Sequence, residues 1–140
     1  MKGSLDNEAR ANLRAAKLYC TRCRVAILKL LGRSGGPLSQ VQIARKLGGG
    51  QYDKVTIYRT LESLVNAGLV HKAFVQERAW HFELSDNCTE RQCHPHFTCT
   101  GCGETHCFTG ISIPMAEHAP KGFRIQRQQV RLEGLCPSCA

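Results

Sequence analysis

At 140 residues the chain has room for one domain or two small ones, and not for a large private core. Its 42% hydrophobic and 6% aromatic residues suit a compact helical domain with a small satellite better than a large β-sandwich. No run of about 18 apolar residues occurs, and Met1-Lys2-Gly3-Ser4 lacks the apolar stretch of a signal peptide, so a soluble, cytoplasmic chain with no membrane partner is expected.

The net charge of +8 is lopsided. Residues 1–80 hold 14 Lys and Arg against 5 Asp and Glu, whereas residues 81–140 hold 5 against 6. Basic residues gathered in one half favour a polyanionic partner, because each neutralised phosphate of a nucleic acid releases condensed counterions. Metal-ligand residue types gather in the other half, with seven of nine cysteines and five of six histidines at or after His81. An odd cysteine count in a cytoplasmic chain argues against a disulfide framework.

In chain order, residues 5–33 carry two helical segments, one with Leu13, Lys17 and Cys20, the next with Val25, Ile27, Leu28, Leu30 and Leu31. Ser34-Gly35-Gly36-Pro37 ends them, and Ser39 with Gln42 has the form of a capping box that opens a short third helix stopped by Gly48-Gly49-Gly50. Asp53 is the expected N-cap of a fourth helix running to Asn66, with Gly68 as its terminator. Its apolar stripe is Ile57, Leu61, Leu64 and Val65, so Thr56, Arg59 and Ser63 fall opposite, with Tyr58 on the flank. Residues 69–75 and 79–84 read as a hairpin about Gln76-Glu77-Arg78. Three helices, a fourth with a polar outward face, and a hairpin make a winged helix-turn-helix over residues 1–85. The turn-like residues 86–93 form the expected linker. From residue 94 to 140, a strand beginning at Phe97-Thr98-Cys99, a short helix at Ile113 to His118 and one or two strands within Phe123 to Leu132 complete an α+β chain.

Cys99-x2-Cys102 and Cys136-x2-Cys139 are the strongest chemical signal. Two thiolate pairs, each on a tight turn and separated by 33 residues, offer zinc a closed tetrahedral site that is structural and not catalytic. Cys20-x2-Cys23 lies in a helical, basic stretch with no partner pair nearby and is read as core or surface thiols, a weaker metal signal. A second constellation comprises His71, Glu83, Cys88, Cys93, His94, His96 and Cys107, in which His94 and His96 alternate about Pro95 and place both imidazoles on one side of an extended segment. A rival reading of another class is a zinc-dependent nucleobase deaminase, suggested by His81-Phe82-Glu83 and the terminal Cys-x2-Cys. It needs Pro before the first cysteine and an open coordination position; the chain has Cys136-Pro137 and four thiolates.

Residues 53–61 (Asp-Lys-Val-Thr-Ile-Tyr-Arg-Thr-Leu), Ala67-Gly68-Leu69-Val70, Phe82-Glu83-Leu84, the run from His94 through Cys102-Gly103 and the final Cys136-x2-Cys139 resemble the ferric uptake regulator family of metal-dependent repressors. The similarity extends from about Thr21 to the C-terminus. It implies a homodimer with an N-terminal winged helix and a small C-terminal α/β dimerisation domain, binding a palindromic DNA operator when a sensing metal is loaded, without enzymatic activity on any small organic substrate. Tyr58 and Arg59 match the family's base-contacting pair, and Lys17 falls near a basic residue directed at the minor groove. His71, Glu83, His94 and His96 match ligands of the hinge metal site. Pro37 replaces a histidine frequent in iron sensors, and Cys107 stands where those commonly have a carboxylate. Pro95 and Gln128 replace the ligands of a third site. The resemblance is to the zinc-sensing branch, since imidazole and thiol with few carboxylates favour zinc over iron(II) or manganese(II). An iron sensor of the same family is the alternative; peroxide sensors use aspartate where Glu83 stands. The expected cofactors are a structural zinc and a second, regulatory ion.

Overall fold

The structure is a computed structural model that describes residues 2–85, 94–108 and 110–140. The chain divides into two compact units, Met1–Ser85 and Asp86–Ala140. Among the described residues no helix is long and apolar enough to cross a membrane.

The first unit runs α1 (Lys2–Ala15), α2 (Arg22–Arg33), β1 (Leu38–Ser39), α3 (Gln40–Lys46), α4 (Lys54–Asn66), β2 (Val70–Gln76) and β3 (Ala79–Leu84). Its helix ends follow side-chain chemistry. The Ser39 hydroxyl accepts from the Gln42 amide while the Gln42 side chain accepts from the Ser39 amide, the reciprocal capping box the sequence called for. Asp53 Oδ1 accepts from the Thr56 amide at 2.6 Å, and that bond holds the Asp53 carboxyl below its usual range. Gly68, at φ 77°, closes α4 through bonds from its own amide to Val65 O and from Leu69 N to Leu64 O. The same closure ends α1, where the left-handed position falls on a non-glycine residue, Lys17, at φ 61°.

Leu13, Ile27, Ile43, Ile57, Leu61 and Leu64 are almost fully buried, and with Val70 and Phe82 they join all four helices and the hairpin in one core. The small sheet has the order β1-β3-β2 and is antiparallel throughout. β1, which the sequence reading omitted, pairs Leu38 with Phe82 and Ser39 with His81 and so attaches the start of α3 to the wing. The hairpin closes over Glu77 and Arg78, both at positive φ, as a two-residue turn requires. Its two faces differ by the alternation of a strand: Phe82 and Leu84 pack on the helical core, and His81 and Glu83 point to the opposite face.

The second unit is a three-stranded sheet of order β5-β4-β6, with β4 (His96–Cys99) antiparallel to β5 (Thr105–Cys107) and parallel to β6 (Arg131–Gly134). Stacked Phe97 and Phe108 rings, 5.3 Å between centroids, lie on it. The short helix expected at Ile113 to His118 is not formed; residues 111–120 are irregular. Pro114 and Pro120 leave too few residues between them to repay helix nucleation, and the Gln128 side chain donates to Pro114 O and accepts from Ala116 N instead. The strand expected within Phe123 to Leu132 forms only at its end, as β6.

Candidate metal centres and DNA-reading face

In the second unit, Thr100 N and its hydroxyl both donate to Gly134 O, drawing the turn after β4 against the end of β6. The four sulfurs of Cys99, Cys102, Cys136 and Cys139 consequently all lie within 4.8 Å of one another, with Cys102 Sγ and Cys136 Sγ 3.8 Å apart. Tetrahedral zinc with bonds of about 2.3 Å separates its sulfurs by about 3.8 Å, so the cluster fits a zinc ion. Amides of Gly101, Cys102 and Cys136 donate to Cys99 Sγ at 3.3, 3.5 and 3.3 Å. The donors at Cys102 and Cys136 lead in lowering the Cys99 thiol to about 6, a thiolate at neutral pH. The Cys139 thiol is pushed up to about 12, chiefly by its side-chain hydrogen bonds with Cys136 and Cys99, which hold its proton. Gly101 leaves room here: a Cβ on it would sit 3.1 Å from both Cβ and Sγ of Cys139, closer than ordinary van der Waals contact.

Cys99 and Cys136 are also, with Pro95, the buried apolar residues among those described in this unit. A unit whose buried apolar residues are two cysteines and a proline has little hydrophobic core, which is the situation in which a bound metal would act as a staple.

The second constellation is distributed over both units. In the first, register pairs His71 of β2 with Glu83 of β3, and His71 Nε2 lies 2.9 Å from Glu83 Oε1 on the face away from the helical core. Glu83 is 4% exposed, an uncommon location for a carboxylate. In the second, His96 is buried and stands directly opposite Cys107 across β4 and β5, while His94 is half-buried two residues earlier. This register makes Cys107 a neighbour of the imidazole, a pairing that the sequence, with no view of strand register, left as one of several extra donors. Cys88 and Cys93 lie outside the described residues. Cys20 and Cys23 are packing thiols: Cys23 is buried in the first unit's core, where burial raises its thiol pKa, and Cys20 donates to Arg10 O.

On α4, Ile57, Leu61 and Leu64 face the core and Thr56, Tyr58 and Arg59 are exposed, Tyr58 by 55%. Ser63 is turned to a different use from the outward one expected: its hydroxyl accepts from Arg24 Nε, and Arg24 also donates to Tyr19 O, fastening the turn between α1 and α2 to α4. Lys17 is exposed on that turn. An exposed guanidinium and phenol at the start of a helix anchored on three sides are groups able to read base edges in a major groove.

The ferric uptake regulator family model matches residues 15–133. The transcriptional regulator FurA of Mycobacterium tuberculosis is 28% identical over 136 residues, covering 91% of this chain and 87% of the relative. The zinc uptake regulation protein of Escherichia coli is 28% identical over 121 residues, covering 83% and 70%. Among solved structures, the Vibrio cholerae ferric uptake regulator superposes with a TM-score of 0.64 at 24% identity, covering 91% of this chain and 98% of that one. A zinc uptake regulator complexed with zinc and DNA gives 0.62 at 24%, covering 97% and 93%. These likenesses carry the fold, and the family match carries the class, which leaves no place for the deaminase reading. The chain belongs to the ferric uptake regulator family and is a metal-responsive, DNA-binding transcriptional regulator.

Proposed function

We propose that the chain is a zinc-responsive repressor that binds a palindromic operator as a homodimer. Cys99, Cys102, Cys136 and Cys139 hold a structural zinc, and the loaded second site, drawing on His71, Glu83, His94 and His96, switches DNA binding on. Thr56, Tyr58 and Arg59 read the DNA, and Lys17 supports them from the α1–α2 turn. The observation that carries zinc over iron is the register of Cys107 opposite His96: a thiol beside imidazoles suits zinc, where a carboxylate would favour a harder ion. The single buried carboxylate of the set, Glu83, is compatible with that ion as well.

The test is metal analysis before and after mild chelation, paired with DNA binding to a duplex that the wild-type protein selects from a random-sequence pool. One tight zinc and one exchangeable ion per chain are expected, with zinc activating at a lower free concentration than iron(II) or manganese(II). His71→Ala and His96→Ala should keep the tight zinc and the fold and lose metal-stimulated binding. Should both variants still respond to zinc, the sensor lies elsewhere, and Cys88 and Cys93 are then the next donors to replace. Activation by iron(II) below the zinc threshold would instead make the chain an iron sensor.

A further inference from the structure

Between α3, α4 and the wing hairpin the first unit has an open groove of about 720 Å³. Its walls are apolar and, unusually for a surface, include three large exposed side chains: Val41 at 61%, Tyr58 at 55% and Trp80 at 46%. Three cations, Lys54, Lys72 and Arg78, line it with one carboxylate, Glu62. Glu62 is already engaged, 3.7 Å from Lys72 Nζ, and that same ammonium lies 5.5 Å from the centre of the Trp80 ring. The Lys72 contacts orient the indole, whereas no carboxylate among the described residues pairs with Lys54 or Arg78. The groove is therefore an aromatic floor with two uncompensated positive charges. It is continuous with the reading face of α4, because Tyr58 belongs to both.

We propose that this groove seats one sugar-phosphate strand of the operator beside the bases read by α4. Trp80 and Val41 pack against deoxyribose, and Lys54 and Arg78 neutralise the flanking phosphates. Arg78 is placed for this by the turn, which holds it at φ 65° at the tip of the wing. Trp80 reaches the groove because it shares a strand face with Phe82, whose side chain is locked in the core. Charge complementarity selects a polyanion, and the apolar floor selects the sugar face of a nucleic acid strand over a free phosphate. The inference rests on α4 being the reading helix.

Trp80 is the only tryptophan of the chain, so its fluorescence reports on the groove directly. Titration of the pool-selected duplex into zinc-loaded protein should change that emission with the same midpoint as binding measured by anisotropy. Trp80→Ala should weaken binding about tenfold or more at fixed salt, and Trp80→Phe much less. Lys54→Gln and Arg78→Gln should each lower the slope of log affinity against log salt by about 0.9, on both selected and scrambled duplexes. Thermal melting verifies that each variant folds. Arg59→Ala separates the two readings: if it loses preference for the selected duplex while the groove variants and the Trp80 emission are indifferent to DNA, the groove proposal is overturned and the reading helix stands. If Arg59→Ala also changes nothing, α4 is not the reader and both fail.

Discussion

Replacing Gly101 by alanine tests the cysteine cluster without removing a sulfur. Gly101 has no positive φ to lose, so the whole effect must come from its added methyl, which would lie 3.1 Å from Cβ and Sγ of Cys139 and 3.5 Å from Leu135 Cδ2. A carbon and a sulfur at that separation must part by several tenths of an ångström. Zinc–sulfur bonds tolerate about 0.2 Å, so the strain falls on the metal geometry and cannot be absorbed by a rotamer change. Overpacking of this kind costs about 1–3 kcal/mol, which is roughly a 5- to 150-fold loss in a zinc competition against a chromophoric chelator. Gly103→Ala is the control. It stands at φ 78° with open space about its Cβ, so it should cost about 1 kcal/mol of backbone strain and lower zinc affinity by at most about fivefold, the bottom of the range for Gly101→Ala. If Gly101→Ala competes for zinc as well as wild type, the four sulfurs do not share one ion in the arrangement described.

Two further substitutions probe the first unit. Lys17→Gly should raise its melting temperature, since it relieves left-handed strain of about 1 kcal/mol, while weakening DNA binding if the Lys17 side chain supports α4; a fall in stability would show that the side chain packs instead. Asp53 has a lowered folded-state pKa, so its cap contributes stability above the unfolded value of about 3.9 that is lost as pH falls through the folded value. Asp53→Ala should therefore lower the melting temperature at neutral pH and converge with wild type in acid, whereas Asp53→Asn keeps a capping oxygen and should stay near wild type at neutral pH; equal melting of Asp53→Ala and wild type at pH 7 would refute the cap.

The elements legible in the sequence were those whose determinants are local. Ser39 with Gln42, Asp53 and Gly68 mark helix ends because their hydrogen bonds close within a turn, and the cysteine pairs are legible because each pair spans a single turn of chain. What escaped depended on partners distant in sequence. β1 is two residues long and exists only because β3 lies alongside it. Ser63 has the helical phase of an outward residue, and only the approach of Arg24 from α2 claims its hydroxyl. The left-handed pair Glu77 and Arg78 has none of the Gly or Asn that usually signals such a turn, so the pairing of Val75 with Trp80 and Gln76 with Ala79 must impose it. Periodicity at Ile113 to His118 suggested a helix, but proline spacing and the reach of Gln128 outweighed it.

The wing hairpin is where the proposed metal and DNA functions meet, and the alternation of its strands explains how one element can serve both. Phe82 and Leu84 fix β3 to the core that also carries α4, Trp80 extends that same face into the groove beside Tyr58, and the intervening Glu83 turns the other way to meet His71. An ion bound through His71 and Glu83 would therefore grip a strand whose neighbouring residues are locked to the core that carries α4. Metal can favour DNA binding only to the extent that its affinity differs between the reading and non-reading arrangements. In a dimer the arrangement that matters is the separation of the two α4 helices, which must match half-sites a whole number of helical turns apart. By linkage, the factor by which the ion tightens DNA binding is the factor by which DNA tightens the ion. The cysteine cluster offers no such lever, because its four donors come from one unit and an ion there would be held alike whatever α4 does; on the proposed reading the two sites would therefore differ in exchangeability.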